Sequence, residues 1–257
     1  MEMRFIPLIS AGLLLSLITP TAEASLTVGV ADGKDIVYSS GTNVSWTADA
    51  NLLATMMSAQ GFNTVVNAII SASPIVYDTP NYFDGSYNHY VSYSGSYTIS
   101  TSDFGTTGTV TWFGAQAFVN YLNSINYAGS HQWGLPTTPD SDSSGGFNKT
   151  NSQMGELFYN ELGGIAGNSI PNSNYFSNVQ AYLYWSSTEY SSDPKYMYSW
   201  LFNTFTGNQG ATFKSYQYYA WAVSPGNIAA VPVPSALLLF GTGLLGLLSL
   251  KRRGNIG

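Results

Sequence analysis

The sequence contains no cysteine. That excludes a disulfide framework, thiolate metal sites and any thiol nucleophile, so the fold must hold by burial alone. Arginine is almost as scarce: none lies between residues 25 and 230. Over that span four lysines (Lys34, Lys149, Lys195 and Lys214) face twelve carboxylates, a net of −8. Nucleic-acid binding requires a basic footprint, which this segment lacks. Charged residues make up only 9% of the chain, so solubility rests on Ser, Thr, Asn and Tyr. Aromatics, at 15%, are abundant. Each buried ring removes roughly 150–250 Å² from water, enough to replace the missing covalent staples.

The two ends carry addressing features. Arg4, the apolar run Leu8 to Ile18 and the small-residue site Ala22-Glu23-Ala24 form a secretory signal peptide over residues 1–24, for signal peptidase to cut after Ala24. At the other end, residues 231–257 form a tail in three parts: Val231-Pro232-Val233-Pro234, an uncharged run from Ser235 to Leu250, and Lys251-Arg252-Arg253. The prolines stop any preceding helix. The run predicts an apolar transmembrane helix over 235–250, about 24 Å long at ~1.5 Å per residue, slightly short of a full bilayer crossing. The basic triplet is a stop that stays cytoplasmic. These parts resemble the PEP-CTERM sorting signal of exopolysaccharide-making Gram-negative bacteria. That resemblance implies recognition and cleavage by an exosortase-type membrane peptidase after transient anchoring, then release to the cell surface or matrix. Val233 stands where the family usually has Glu. The competing reading of the tail is a plain membrane anchor.

Residues 25–230 are long enough for one domain with a substantial core. Periodicity predicts strands at Ile36–Tyr38 and Val44–Trp46 around the turn Ser40–Asn43, then helical spacing over Asn51–Ser58 and Thr64–Ile70. From Val91 to Ser102, Val91, Tyr93, Tyr97 and Ile99 alternate with Ser and Thr, as in a strand with one wet face. Trp112, Ala115, Val119 and Leu122 predict an amphipathic helix over Trp112–Ser124 capped by Thr111. Met154, Leu157, Phe158 and Leu162 predict another, ended by Gly163-Gly164. Pro139–Thr150 between them is a polar loop. Strands return at Tyr184–Ser187, Tyr198–Phe205, Ala211–Tyr216 and Tyr219–Ser224, with Thr206–Gly210 as a hairpin loop. Strands early and late with helices between them indicate an α+β domain.

Several motifs follow one another along the chain: Val44-Ser-Trp-Thr-Ala-Asp-Ala-Asn51, Thr111-Trp-Phe-Gly-Ala-Gln-Ala117, Trp133-Gly-Leu-Pro-Thr137, Met154-Gly-Glu-Leu157, Tyr184-Trp-Ser-Ser-Thr-Glu189 and Tyr219-Ala-Trp-Ala-Val-Ser-Pro-Gly226. Together they resemble a bacterial domain family of unknown function typified by the C-terminal domain of a collagen-like adhesin. The resemblance implies a C-type-lectin-like fold, related to formylglycine-generating enzymes, with Trp133, Trp185 and Trp221 buried. Two family arginines are missing: Gly134 and Ser224 stand in their places. The formylglycine-generating activity uses cysteines, so that chemistry is excluded here.

The candidate chemistry is sparse. His89 and His131 are the two histidines, and no Gly-x-Ser-x-Gly elbow accompanies the serines. Asp140 and Asp142 open a loop that resembles the start of a calcium site, but position twelve is Asn151 rather than a bidentate Glu. An EF-hand is excluded, and a looser calcium site is the alternative to a solvated loop. Ser186, Ser187 and Glu189 are candidate ligand contacts against a packing role. Tyr82, Tyr87, Tyr90, Tyr93 and Tyr97 are candidate stacking faces for neutral polysaccharide, with Tyr93 and Tyr97 the leading pair. The resulting expectation is an exported, non-enzymatic binding or structural protein of an exopolysaccharide or biofilm layer. The rival is a membrane-anchored, metal-assisted hydrolase using Asp140, Asp142 and Glu156.

Overall fold

A computed structural model describes residues 25–77, 96–190 and 198–229. The signal segment, the tyrosines at 82, 87, 90 and 93, His89 and the tail from 231 onward lie outside these residues.

The chain opens with β1 (Leu26–Ala31) and β2 (Lys34–Ser39). Asp32 and Gly33 join them, both at positive φ (45° and 70°), which a two-residue turn matched to strand twist requires. β3 (Val44–Thr47) follows, and β11 (Val223–Pro225), the last strand, pairs with it. The first sheet thus has the order β1-β2-β3-β11, antiparallel throughout, and brings the two ends of the domain together.

Helices α1 (Leu52–Gln60) and α2 (Phe62–Ala72) meet at Gly61, whose φ of +90° permits the sharp break. β4 (Ile75–Tyr77) and β5 (Ser96–Thr98) form a small separate ribbon. After β6 (Thr109–Val110) comes α3 (Trp112–Ser124), where the Thr111 hydroxyl accepts the Gly114 N–H as the expected cap. Along α3, Trp112, Ala115, Val119 and Leu122 are buried, as the periodicity predicts. The second sheet, β6-β10-β7-β8-β9, comprises β7 (Leu183–Glu189), β8 (Tyr198–Asn203), β9 (Asn208–Phe213) and β10 (Tyr218–Tyr219). The domain is α+β.

Four expectations need correction. The helix over Met154–Leu162 begins as α4 (Gln153–Gly155) but continues over Glu156–Glu161 as a π-helix, with Leu162 N–H reaching back to Leu157 O. Wider winding lets Leu157 and Leu162, five apart, face the same cluster. Asn208–Gly210 belong to β9 rather than to a loop, and the turn sits earlier, closing with Gly207 N–H on Asn203 O. The strand expected over Tyr219–Ser224 is divided between two sheets, β10 in one and β11 in the other. Only Ser96–Thr98 of the long alternating stretch is a described strand, and Thr101–Asp103 forms a 3-10 turn with a Ser100/Asp103 capping box.

Two apolar clusters form the core. The larger gathers α1, α2, α3, Trp133 and Trp185, and the smaller gathers Trp46, Trp221, Tyr184, Phe158 and Phe202. Trp133, Trp185 and Trp221 are 3%, 0% and 0% exposed, as their motifs imply. Each indole N–H donates to a backbone carbonyl: Trp133 to Tyr127, Trp185 to Val110 and Trp221 to Thr47.

Candidate functional site

A polar cleft of about 400 Å³ opens between the β2–β3 turn, the Thr137–Pro139 segment and the start of α4. Gly41, Thr42, Thr137, Thr138, Pro139, Thr150, Asn151, Ser152, Gln153 and Glu156 line it. Backbone pairing fixes the middle wall. Ser187 N–H donates to Pro136 O (2.8 Å), the Thr188 hydroxyl accepts Thr138 N–H (3.1 Å), and Gln153 exchanges bonds with Thr137 at both ends. The Ser152 hydroxyl caps α4 at Gly155 N–H and donates to Gln209, whose amide in turn holds Ser144 O. Gly155 is required here, because a Cβ would collide with the Lys149 carbonyl.

Two carboxylates belong to this region. Glu156 faces the cleft and accepts from Asn160 (2.6 Å). Glu161, one turn on, accepts from the Ser39 hydroxyl (2.8 Å), while its other oxygen is buried without a partner among the described residues. Burial pushes the Glu161 carboxyl above its ordinary value, and the Ser39 and Gly41 hydrogen bonds only partly offset this.

The other candidate residues have varied surroundings. Tyr97 is half-buried, lies flat against Phe113 at 3.9 Å, and donates to Asp103 (2.9 Å). One of its ring faces is therefore taken. Ser186 is buried; its carbonyl accepts from Trp112 Nε1 and Ser199, and its hydroxyl accepts Thr188 N–H. Ser187 is half-buried against Pro136. Glu189 pairs with Lys214 at 3.0 Å, and that lysine is fully buried over the Trp112 ring. Asp140 accepts the Trp200 indole N–H (3.0 Å), and Asp142 opens a 3-10 turn, Asp142–Ser144. Among the described residues no three of His, Asp and Glu converge to hold a metal ion. His131 is exposed, with Nδ1 2.7 Å from Asn123 O near the end of α3.

The two positions that lack arginine are neighbours in space. Gly134 pairs with Val223 in an antiparallel bridge, beside Ser224. A Cβ on Gly134 would meet nothing within 4 Å. Ser224, by contrast, is fully buried and shares a 2.7 Å hydrogen bond with Ser130. A neutral hydroxyl pair fills the space, and no buried charge awaits a partner there.

The Lcl C-terminal domain family matches residues 35–224. The chain belongs to this family. A PEP-CTERM protein-sorting motif matches residues 230–253, which marks the chain as exported, transiently membrane-anchored through its tail and processed by an exosortase. No curated protein and no solved structure matches it. Among the described residues no helix is long and apolar enough to cross a membrane, and the apolar segment 235–250 lies outside them.

The sequence reading missed Thr42, Asn151 and Gln153 as cleft residues. The Trp-Gly-Leu-Pro-Thr motif was the available signal, since its end forms the middle wall. It missed Lys214 as well, because nothing local marks a lysine for burial.

Proposed function

We propose that this protein is a non-catalytic, C-type-lectin-like component of a bacterial exopolysaccharide layer that binds neutral glycan in the cleft beside Glu156. The observation that carries this is the cleft lining: Thr42, Thr137, Thr138, Thr150, Asn151 and Gln153 offer hydroxyls and amides, and Glu156 is the single charge among the lining residues. Such a wall exchanges hydrogen bonds with sugar hydroxyls and gives little purchase to ions. A net charge of −8 over residues 25–230 repels sulfated or uronic-acid glycans unless calcium bridges them. The C-type-lectin-like assignment is supported by the α+β layout and by family membership. Export through signal peptidase and residence at a Gram-negative cell surface accord with the sorting motif.

Titration of the exported protein with neutral and anionic polysaccharides, with and without calcium, tests this reading. Binding to neutral polymer should be micromolar or weaker, indifferent to salt, and reduced by Asn151→Ala and by Glu156→Ala. Salt-sensitive binding to an anionic glycan without calcium contradicts it. Turnover of a glycan or ester that Glu156→Gln abolishes would instead establish the hydrolase reading.

A further inference from the structure

β1 has β2 as its one neighbour in the first sheet, whereas the strand at the opposite edge, β11, is flanked by Gly134 through its bridge to Val223. Ala31 and Lys34 close the two-residue turn, and Ser40 N–H reaches Ser25 O, so the odd residues of β1 bond to β2. The N–H and C=O groups of Leu26, Val28 and Val30 therefore point away from the sheet and take no backbone partner among the described residues. Val28 and Val30 are also 61% and 54% exposed, and they border a groove of about 470 Å³ with Tyr175 and Phe176. The strand Leu26-Thr-Val-Gly-Val-Ala31 contains no proline, no charged side chain and no register shift against β2. An edge left in that state invites another strand.

Its free groups are symmetric about Val28. Two copies of Leu26–Ala31 laid antiparallel about a two-fold axis at Val28 set Val28 opposite Val28 and Leu26 opposite Val30 twice over. Each outward residue of one copy then meets an outward residue of the other, so every free donor faces a free acceptor. A slip of two residues leaves one outward strand residue of each copy unmatched. Directly opposite side chains share a face, so the valines and Leu26 form one apolar stripe across the joint. Charge does not oppose this arrangement, despite the acidic balance of the domain. At ~3.4 Å per residue and ~4.8 Å per strand, the two Asp32 residues lie about 27 Å apart and the two Asp35 residues about 20 Å apart, well beyond the ~8–10 Å screening length.

We propose that this protein self-associates through β1, two copies joining their first sheets edge to edge in the register centred on Val28. The contact is isologous and closes on itself, so it makes a pair rather than a fibre. Six residues a side make a small interface of the transient kind. Anchoring through the sorting tail offsets that weakness, because it confines the copies to one membrane surface and raises their effective concentration. On the glycan reading above, the pair carries two clefts and gains avidity for a repeating polymer; the pairing itself does not depend on that reading.

The absence of cysteine gives a clean background for crosslinking the full chain in phosphatidylcholine vesicles. Oxidised Val28→Cys should form a disulfide between chains at least about tenfold faster than Val30→Cys, although both side chains are exposed. Opposed Cα atoms at Val28 are ~5.5 Å apart, within disulfide reach, and those at Val30 ~15 Å apart. Leu26→Cys mixed with Val30→Cys should crosslink to each other about tenfold faster than either does to itself. In the parent chain, the Val28 and Val30 amides should exchange hydrogen about tenfold more slowly at high surface density than at low. Equal rates for Val28→Cys and Val30→Cys would overturn the register and with it the proposal. Amide protection independent of density would overturn it too, by assigning the edge to another segment of the same chain. No glycan enters either measurement, so its outcome is separate from that of the binding titration.

Discussion

Replacing Trp185 with alanine should destabilise the domain by about 3–5 kcal/mol, the range for removing a large buried aromatic. The side chain is fully buried in the larger cluster, packs on Tyr218 at 5.1 Å between ring centroids, and donates its indole N–H to Val110 O at 2.8 Å. Deletion therefore opens a cavity and removes one hydrogen bond from Val110 O, a residue that the β6–β10 pairing still sets opposite Tyr218, a further cost of about 0.5–1.5 kcal/mol. Trp185→Phe separates the two terms. It keeps most of the apolar contact and loses the hydrogen bond, so it should cost about 0.5–1.5 kcal/mol. Urea denaturation followed by far-UV circular dichroism measures both, since other tryptophans complicate fluorescence. A loss below about 1 kcal/mol for Trp185→Ala would refute the packing argument and reopen a ligand-stacking role for this ring.

Lys214→Met should cost about 3 kcal/mol, near the low end for breaking a buried ion pair because Glu189 keeps 19% exposure, and adding Glu189→Gln should recover part of that loss in a double-mutant cycle. Glu161 has a folded-state pKa raised by burial, so its contribution is most favourable below its ordinary value of 4.5 and is lost as pH rises through the folded value. Glu161→Gln should accordingly raise the urea midpoint at pH 7, with the gain vanishing toward pH 4; a gain independent of pH would assign the effect to packing. Ser224→Arg should destabilise by at least about 2 kcal/mol, because it forces a long cation into the Ser130 pair, whereas Gly134→Arg should stay within about 1 kcal/mol of the parent. Thermal melts of the two variants test that contrast.

Where a structural signal was local, the sequence carried it. The α3 helix, its Thr111 cap and its buried face follow from one amphipathic stretch, and the β2–β3 pair follows from two short apolar runs around a turn. The errors came where tertiary contacts decide. No local pattern distinguishes α from π winding over Glu156–Glu161, because Leu157 and Leu162 satisfy either period loosely. The apolar stretch Tyr219–Ser224 looks like one strand, yet it is shared between sheets because Trp221 must fit between Trp46, Phe176 and Tyr184. The cleft was illegible for a related reason. Its residues come from distant segments and are mostly ordinary Thr, Asn and Gln without periodicity; the end of the Trp-Gly-Leu-Pro-Thr motif at Thr137 marks one wall alone.

The missing arginines show how a charge-poor domain of this family stays packed. A buried guanidinium needs partners to compensate its desolvation, and a domain with few cations would have to retain matching carboxylates. Here one position lies beside open space and the other is occupied by a serine whose hydroxyl is satisfied by Ser130. Nearby, the Ser45 hydroxyl binds the Gly226 carbonyl and accepts Ile228 N–H, so buried polar groups on this face of the first sheet are matched by neutral hydrogen bonds. Losing ions from this face also removes the local dependence on salt and pH that they would bring. The same serine holds the segment 226–229, which precedes the sorting motif in the sequence. Ser45→Ala should therefore loosen residues 226–229 from β3, which faster amide hydrogen exchange at Ile228 would report and unchanged exchange would refute.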